Sequence, residues 1–361
     1  MLTTILVKPG IIELREVKTP SPSRGEILVK IRAALTCGTD LKAYKRGHPM
    51  IPMPGVFGHE FSGIVAAVGR GVRRFKEGDG IMAVHSAPCL NCIYCKKRLY
   101  NLCEKIMDTK VLGAFAEYIV LPSHIVKQNV YHKPENITFE ESALLEPLSC
   151  VVHGIESLTI NKGDNGLIIG AGPIGLLHSL LLKEKGVLVT IIDKHFYKLR
   201  VAKKVGADFI SSLPIKGEES HPCTPLKRED ISSTLAGKKN INLNKITNNI
   251  GFDYLFECTG IPEVWESSVN YLRRGGTVIL FGGCPSSTRV TYDTERIHYD
   301  EITLKGVFHY TPTDVRNAYN LLCSGKLEFS KLISGRYSLK NIQKAFDNLS
   351  KGKGIKYAII P

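Results

Sequence analysis

Four cysteines lie within seventeen consecutive residues, in the segment APCLNCIYCKKRLYNLC at 87–103. Their spacing, C-x2-C-x2-C-x7-C, allows four thiolates to converge on one tetrahedral zinc ion. Four thiolates would fill the coordination sphere, so such a zinc would stabilise the fold and would not bind substrate. An iron–sulfur cluster or two disulfides are alternatives at this point. The residues are Cys89, Cys92, Cys95 and Cys103.

A second set of potential metal ligands lies upstream and downstream of this loop. Cys37 occurs in LTCGTD, and His59 and Glu60 occur in PGVFGHEFSG. A thiolate, an imidazole and a carboxylate can bind a zinc ion that keeps one position open for water or substrate. Each segment alone is also typical of a buried cysteine or a solvated His–Glu pair. Glu146, in the apolar segment LLEPLSC, adds a carboxylate that needs a partner if it is buried.

A glycine-rich motif, GAGPIG at 170–175, follows the strand-like GLII and precedes an apolar helical stretch. This context is the one that a dinucleotide-binding loop requires. The first glycine permits the turn, the second lets the backbone approach a pyrophosphate, and the third lets helix pack on strand. The candidate cofactor-binding residues here are Gly170, Gly172, Pro173, Ile174 and Gly175.

Asp193 ends the next predicted strand and favours NAD over NADP. Its carboxylate would accept hydrogen bonds from the adenosine ribose hydroxyls and would repel a 2′-phosphate. Lys194 and Lys198 follow closely in the sequence and weaken that preference. Lys198 is also a candidate cofactor-binding residue. NADP is therefore the less favoured cofactor.

The pattern of elements predicts two domains. Short strand-like segments separated by Gly and Pro fill the first part of the chain and indicate a barrel-like β domain. From about residue 160, strand and helix patterns alternate, which predicts a doubly wound α/β domain with a parallel sheet. The polar stretch 211–250 is longer than a connection there needs, so we expect part of it to form an inserted surface loop.

Composition narrows the classes of partner. A formal net charge of +14 would suit nucleic acid or an anionic membrane, but the lysines are scattered and no nucleic-acid-binding motif accompanies them. No apolar run is long enough to span a bilayer, and the first residues do not read as a signal peptide. The sequence thus predicts a cytoplasmic protein with neither a nucleic-acid nor a membrane partner. The ten cysteines then favour metal ligation over disulfides.

Taken together, these motifs resemble those of the zinc-dependent medium-chain alcohol dehydrogenases, in the polyol (sorbitol-type) and threonine dehydrogenase branch. The resemblance extends over nearly the whole chain and rests on CGTD, GHEFSG, the four-cysteine loop, EPLS, GAGPIG, ECTG and FGG, in that order. It implies a GroES-like β-barrel-type catalytic domain at 1–147 and 309–361. A Rossmann NAD-binding domain would occupy 148–308.

The resemblance also assigns roles to residues. Cys37, His59 and Glu60 would bind the catalytic zinc, and Glu146 would be a fourth ligand or act through water. Thr39 would take the substrate proton. The remaining expected cofactor neighbours are Gly260 in ECTG, Gly282 in FGG, and Lys356 at the pyrophosphate.

One position departs from the family pattern. Many relatives have a histidine three residues after the position of Thr39, to pass the proton outward, and here that residue is Lys42. The relay would then end at the cofactor ribose and water, or use another group. His48 is one alternative, although a histidine in a surface loop is the simpler interpretation.

The resemblance implies an enzyme that transfers a hydride from a secondary alcohol to NAD(P)+. Each chain would bind one catalytic and one structural zinc. The expected substrates are small polyols, cyclitols or sugars, with threonine or a simple secondary alcohol as alternatives. A basic nucleic-acid-binding protein on a Rossmann scaffold is the non-enzymatic alternative. The resemblance also implies a homo-oligomer, either a dimer or a tetramer.

Overall fold

Two structural units are defined by the computed structural model, which describes residues 1–212 and 243–361. We call them the split unit, Met1–His153 with Phe308–Pro361, and the central unit, Gly154–Val307. The first boundary lies after His153, near the end of the helix that runs from 145 to 155, whereas the sequence places it after residue 147. Residues 213–242 of the expected polar insertion lie outside the described ranges.

The strands follow the expected order, short in the N-terminal part and alternating with helices from residue 165 onward. In chain order they are β1 Leu2–Lys8, β2 Ile11–Glu16, β3 Ile27–Leu35, β4 Gly55–Val56, β5 Glu60–Val68, β6 Gly80–Ala83, β7 Tyr118–Leu121, β8 Val130–His132, β9 Asn165–Ile169, β10 Leu188–Asp193, β11 Phe209–Ser212, β12 Phe252–Glu257, β13 Leu272–Leu280, β14 Thr303–Gly306, β15 Ile333–Ser338 and β16 Lys356–Ile360.

Both units contain short and long helices, and the two longest, of 12 residues each, are Pro173–Glu184 in the central unit and Pro312–Cys323 in the split unit. They are α1 Gly38–Arg46, α2 Ile93–Lys96, α3 Ser123–Gln128, α4 Phe139–Ser142, α5 Leu145–Ile155, α6 Pro173–Glu184, α7 Phe196–Lys204, α8 Leu243–Ile246, α9 Pro262–Ser267, α10 Thr294–Tyr299, α11 Pro312–Cys323 and α12 Ile342–Ser350. Short 3-10 turns occur at Tyr100–Leu102, Ser268–Tyr271, Phe329–Leu332 and Leu339–Asn341.

The split unit is built on a mostly antiparallel sheet with the order β15-β16-β3-β5-β6-β8, and β7 also pairs with β3. β3 shows why this segment forms a half-covered strand, because Lys30 and Arg32 are exposed while the residues around them are buried. The core behind the sheet contains an aromatic group in which Phe57 contacts Phe115 and Phe346, with ring centroids 4.9 and 5.6 Å apart. A small sheet, β2-β1-β4, lies alongside in the same unit.

The central unit contains a six-stranded sheet with the order β11-β10-β9-β12-β13-β14. Every strand pairing in it is parallel. β9 and β10 are almost entirely buried, as expected for strands covered on both faces. The strand order reverses between β9 and β12, and ligands of such sheets bind outside the carboxyl ends of the strands at that point. The prediction of a doubly wound parallel sheet is confirmed.

Candidate metal centres and cofactor site

The first group of metal ligands forms where β3 ends and β5 begins. Leu35, the last residue of β3, pairs with Glu60, the first residue of β5. Cys37 follows two residues after Leu35 and occupies the N-cap of α1, where its Sγ accepts a hydrogen bond from the Thr39 N–H at 3.5 Å. One ligand atom each of Cys37, His59 and Glu60 lies within 4.8 Å of the others. The strand pairing therefore assembles the sulfur, nitrogen and oxygen donors expected from the sequence.

Asp40 supports this group from the first turn of α1. Its side chain is fully buried, and Oδ1 lies 3.4 Å from Nδ1 of His59. Burial opposes protonation of His59, but the charges of Asp40 and Cys37 outweigh it and raise the pKa of His59 well above its usual value. A carboxylate beside one ring nitrogen is the usual way to orient a metal-binding histidine through the other nitrogen.

Lys356, which was expected at the pyrophosphate, is buried in the sheet of the split unit. It begins β16, which pairs with β3, and its side chain is only 1% exposed. The ammonium donates to Oε2 of Glu60 and, at 2.9 Å, to the carbonyl of Thr36. Burial favours the neutral amine, but the charges of Glu60 and Cys37 outweigh it and raise the pKa of Lys356. The expected contact of Lys356 with a pyrophosphate is therefore wrong, because its ammonium forms an ion pair with Glu60 inside the split unit.

The donor set of this group fits a zinc ion. Lys356 occupies only one oxygen of Glu60; Oε1 is buried and has no hydrogen-bond partner in residues 1–212 and 243–361. A buried carboxylate oxygen without a partner is costly. A cation near the Cys37 thiol and the His59 imidazole would remove that cost, and sulfur, nitrogen and oxygen are all common zinc donors.

Glu146 lies in the first turn of α5 and groups with residues that the sequence analysis did not select. One ligand atom each of Glu146, His85 and His309 lies within 4.8 Å of the others. Glu146 Oε1 is 3.5 Å from Nδ1 of His85. Burial raises the pKa of Glu146 to about 7. The fourth-ligand role for Glu146 stays a prediction.

The candidate proton-transfer residues lie on or after α1. Thr39 and Lys42 are half-buried in that helix. His48 follows it, and its Nδ1 accepts the Met50 N–H at 3.3 Å. Burial, together with the positive charges of Lys42 and Arg46, lowers the pKa of His48.

The four-cysteine loop closes on itself around α2. Ligand atoms of Cys89, Cys92, Cys95 and Cys103 lie within 4.8 Å of one another, and the sulfurs of Cys89 and Cys95 are 4.0 Å apart. Sulfurs bound at about 2.3 Å to one tetrahedral ion would be separated by roughly 3.8 Å, whereas a disulfide requires about 2.05 Å. The nine cysteines of the described ranges are all unbridged. The loop geometry thus fits a single metal ion.

Backbone N–H groups favour the thiolate forms of Cys89 and Cys92, whereas burial raises the pKa of Cys95 and Cys103. Cys89 Sγ accepts the N–H groups of Asn91 and Cys92 at 3.5 and 3.4 Å, and Cys103 Sγ accepts the N–H of Cys89 at 3.3 Å. The N–H of Cys95 lowers the pKa of Cys92 to about 6. These turns therefore place partial positive charge at the sulfurs before any metal binds.

The glycine loop connects β9 to α6 with the expected geometry. Gly170 has a φ of +108°, which the turn out of the strand requires. A Cβ on Gly175 would lie 1.9 Å from the carbonyl oxygen of Gly170, so only glycine lets α6 pack this closely. Gly172 caps α6, with Pro173 at its first position and Ile174 next. The free N–H groups of the helix start therefore point out of the loop, as a pyrophosphate site needs.

Asp193 is held by the backbone at the end of β10. Its Oδ2 accepts the Ala171 N–H at 2.8 Å and its Oδ1 accepts the His195 N–H at 2.7 Å. Each carboxylate oxygen keeps a second lone pair for a ribose hydroxyl. Lys198 lies in the first turn of α7 and is half-buried. A ribose-binding role for Asp193 is compatible with these contacts.

Glu257, at the end of β12, organises the loops that contain Gly260 and Gly282. Its Oε1 accepts the N–H groups of Thr259 and Gly260 at 2.7 and 3.1 Å. Trp265 Nε1 donates to Glu257 Oε2 and to the carbonyl of Gly282, both at 2.9 Å. The sequence motifs ECTG and FGG are thus joined by one buried carboxylate. The Gly260 N–H is already occupied by this bond.

Comparison with known proteins decides the family. Residues 23–133 match the alcohol dehydrogenase GroES-like domain, and residues 173–324 match the zinc-binding dehydrogenase domain. D-arabinitol dehydrogenase 1 of Uromyces fabae is 30% identical over 360 residues, covering 98% of this chain and 95% of that protein. The chain belongs to the zinc-binding medium-chain alcohol dehydrogenases.

Two further relatives agree with this family. Sorbitol dehydrogenase of Halalkalibacterium halodurans is 28% identical and covers 98% of this chain and 96% of its own length. A zinc-binding dehydrogenase of Sinorhizobium meliloti, solved with NADP, has a TM-score of 0.83 at 28% identity and covers 100% of this chain and 99% of its own. The expected GroES-like and Rossmann folds are confirmed.

Membership of this dehydrogenase family establishes the broad activity. The chain is an oxidoreductase that acts on CH–OH groups, with zinc and a nicotinamide dinucleotide as cofactors. Its substrate is therefore a small alcohol or the corresponding carbonyl compound. In residues 1–212 and 243–361, no helix combines the length and apolar character needed to cross a bilayer.

Three residues near the metal ligands were not predicted from the sequence. Asp40, His85 and His309 reach the metal ligands only because strands and loops distant in sequence come together. Asp40 stands in the quoted motif LTCGTD, so its position in α1 offered a weak signal. His85 and His309 are single histidines in otherwise ordinary segments and offered none.

Proposed function

We propose that this dehydrogenase oxidises a secondary alcohol of a polyol, and reduces the corresponding ketone, with NAD as its preferred cofactor. The observation that carries the proposal is the group formed by half-buried Cys37 with buried His59 and Glu60, in which Glu60 Oε1 has no partner among the described residues. The polyol class is supported by the arabinitol and sorbitol dehydrogenases to which the chain is similar.

The catalytic zinc would be held by Cys37 and His59, with Glu60 and Glu146 supplying carboxylate. When bound, such an ion supplies a Lewis acid that lowers the pKa of a substrate hydroxyl, and the nicotinamide supplies the hydride acceptor. Asp40 keeps the His59 ring oriented through the 3.4 Å contact. The Thr39 hydroxyl would accept the substrate proton while passing its own proton on to the cofactor ribose and water, and Lys356 limits the negative charge that Glu60 brings to the site.

A second zinc would be structural and held by Cys89, Cys92, Cys95 and Cys103. All four sulfurs are engaged, so the chain leaves no coordination position for substrate there. α2 and the 3-10 turn at Tyr100–Leu102 surround the sulfurs. Among the described residues, Ile106 is the only buried apolar side chain besides the cysteines in the cluster that packs around them. The loop therefore depends on the ion for its fold.

The preference for NAD rests on Asp193. Its carboxylate is fixed by two backbone N–H groups and cannot turn away from a 2′-phosphate without losing them. Lys194 and Lys198 lie nearby and reduce the discrimination between NAD and NADP.

The expected cytoplasmic location and homo-oligomeric assembly also stay predictions. Light scattering during gel filtration measures the assembly.

A substrate panel tests the proposed function. Purified zinc-loaded protein is incubated with NAD+ and with polyols, cyclitols, aldoses, threonine or short secondary alcohols, and NADH absorbance is followed. We expect the largest kcat/KM with a polyol or cyclitol. The matched control is Thr39→Val, which keeps the size of the side chain and removes the hydroxyl. Highest turnover with threonine or with a simple secondary alcohol would contradict the polyol assignment.

A further inference from the structure

We propose that His85, Glu146 and His309 form a second divalent-cation site in the split unit, distinct from the group of Cys37, His59 and Glu60. None of the motifs that define the family includes His85 or His309. The three residues come from the loop after β6, from the start of α5 and from the segment before α11. The proposal concerns bound metal and does not depend on which alcohol is oxidised.

The geometry of the three side chains suits a small divalent ion. Their ligand atoms lie within 4.8 Å of one another, and Nδ1 of His85 is 3.5 Å from Oε1 of Glu146. Ligand atoms about 2.0–2.2 Å from one zinc ion are separated by roughly 3.5 Å in a tetrahedral arrangement. The His85–Glu146 distance already has this value, and the ligand atom of His309 lies no more than 4.8 Å from either of them.

The contacts of the buried Glu146 carboxylate are long. Its Oε1 accepts the Cys150 thiol at 3.9 Å and lies 3.5 Å from Nδ1 of His85. A buried carboxylate with only long contacts is unfavourable. A cation bound to Glu146 would compensate this cost directly.

Hydroxyl groups fix the two histidine rings around Glu146. Ser86 Oγ lies 2.6 Å from Nε2 of His309 and 3.0 Å from the hydroxyl of Tyr310, which in turn lies 3.3 Å from Nδ1 of His85. The Ser86 contact engages Nε2 of His309 and leaves its Nδ1 for a metal, as the orienting contacts of metal-binding histidines do in known sites. The Tyr310 hydroxyl shares Nδ1 of His85 with Glu146 and would turn away from an ion bound there.

The donor set indicates which ions the site would accept. Two imidazole nitrogens and one carboxylate oxygen suit Zn²⁺, Co²⁺, Mn²⁺ or Fe²⁺, whereas Mg²⁺ and Ca²⁺ prefer oxygen alone. Glu146 is also a predicted ligand of the catalytic zinc, so its carboxylate would be shared if both ions were bound. Bridged pairs in known two-metal sites are about 3.5–4 Å apart.

Metal content distinguishes this proposal from a purely structural network. The full chain is saturated with Zn²⁺, desalted and analysed by inductively coupled plasma mass spectrometry. We expect three zinc ions per chain, one for each group of ligands, and two in His309→Asn and in the double variant His85→Asn/His309→Asn. His298→Asn, which removes an exposed imidazole in α10, is the matched control and should retain three.

Two results would overturn the proposal. A saturated wild-type protein with only two ions, or a double variant that retains the third ion, would show that these histidines bind no metal. If the buried His85 variant fails to fold, as judged by circular dichroism, the half-buried His309→Asn decides alone. Cys37→Ser tests the proposed catalytic centre separately, because its zinc loss leaves the His85–Glu146–His309 ion in place.

Discussion

Replacing Lys356 by methionine should destabilise the split unit strongly. The side chain and that of Glu60 are 1% and 0% exposed, and they form a direct ion pair. The substitution keeps most of the volume of the side chain and removes the positive charge. Glu60 then remains as a buried carboxylate with no compensating cation, and the carbonyl of Thr36 loses its 2.9 Å hydrogen bond.

The expected magnitude follows from the burial of the pair. Removing one partner of a buried ion pair costs about 3–5 kcal/mol, because the other charge stays buried and unpaired. In a unit of this size, such a loss lowers the unfolding temperature by about 6–20 °C. A cation bound beside Glu60 would replace part of the lost charge, so the loss should be smaller in zinc-loaded than in metal-free protein.

Urea unfolding followed by circular dichroism measures this effect, with and without zinc. Lys344→Met in α12 is the matched control, because that lysine is exposed, and it should change the free energy of unfolding by less than about 0.5 kcal/mol. The double variant Glu60→Gln/Lys356→Met should recover part of the loss, since no unpaired charge remains. A loss below about 1 kcal/mol for Lys356→Met, or no recovery in the double variant, would refute the reasoning.

Three further predictions concern other parts of the chain. Cys92→Ser should release one zinc ion and lower the unfolding temperature, and calorimetry showing an unchanged transition would contradict a structural site. Asp193→Asn removes the charge that opposes a 2′-phosphate. The ratio of kcat/KM with NADP+ to kcat/KM with NAD+, measured by steady-state kinetics, should therefore rise by about 10–100-fold. An unchanged ratio would exclude a role of Asp193 in cofactor preference. Asp314 is buried, which raises its pKa, but the hydrogen bonds from His153 at 2.9 Å and from Thr311 outweigh burial and lower it below 3.8. Its stabilisation is therefore present above about pH 4 and is lost as pH falls through the folded pKa. Asp314→Asn should cost about 1–3 kcal/mol at pH 7 and progressively less as pH falls below 4. Urea unfolding at several pH values measures this cost, and a cost that does not fall with pH would contradict the role.

The parts of the site that local sequence determines were predictable. The four cysteines lie within one loop, so their spacing alone predicts convergence. The glycine loop is likewise contiguous, and Gly170 and Gly175 have the turn and close packing that the motif requires. Cys37 and Glu60 were candidates from their residue types, and the family resemblance assigned both to one zinc site. The pairing of β3 with β5 explains why they meet.

The parts that depend on distant strand pairing were not predictable. Lys356 reaches Glu60 because β16 pairs with β3, and nothing near residue 356 in the sequence reveals that neighbour. A lysine after a glycine turn is more often solvated, so nothing in the local sequence indicates that Lys356 lies in the core. His85 and His309 are separated by more than two hundred residues and meet around Glu146 only in the folded unit.

The zinc content of Cys37→Ser, measured together with its rate of NADH formation, tests the central claim most directly. The claim is that Cys37 and His59 bind a catalytic metal that is separate from the four-cysteine loop. We expect the variant to lose one zinc ion and its turnover of alcohol while circular dichroism shows an unchanged fold. A variant that retains every zinc ion and oxidises alcohol at the wild-type rate would contradict the account.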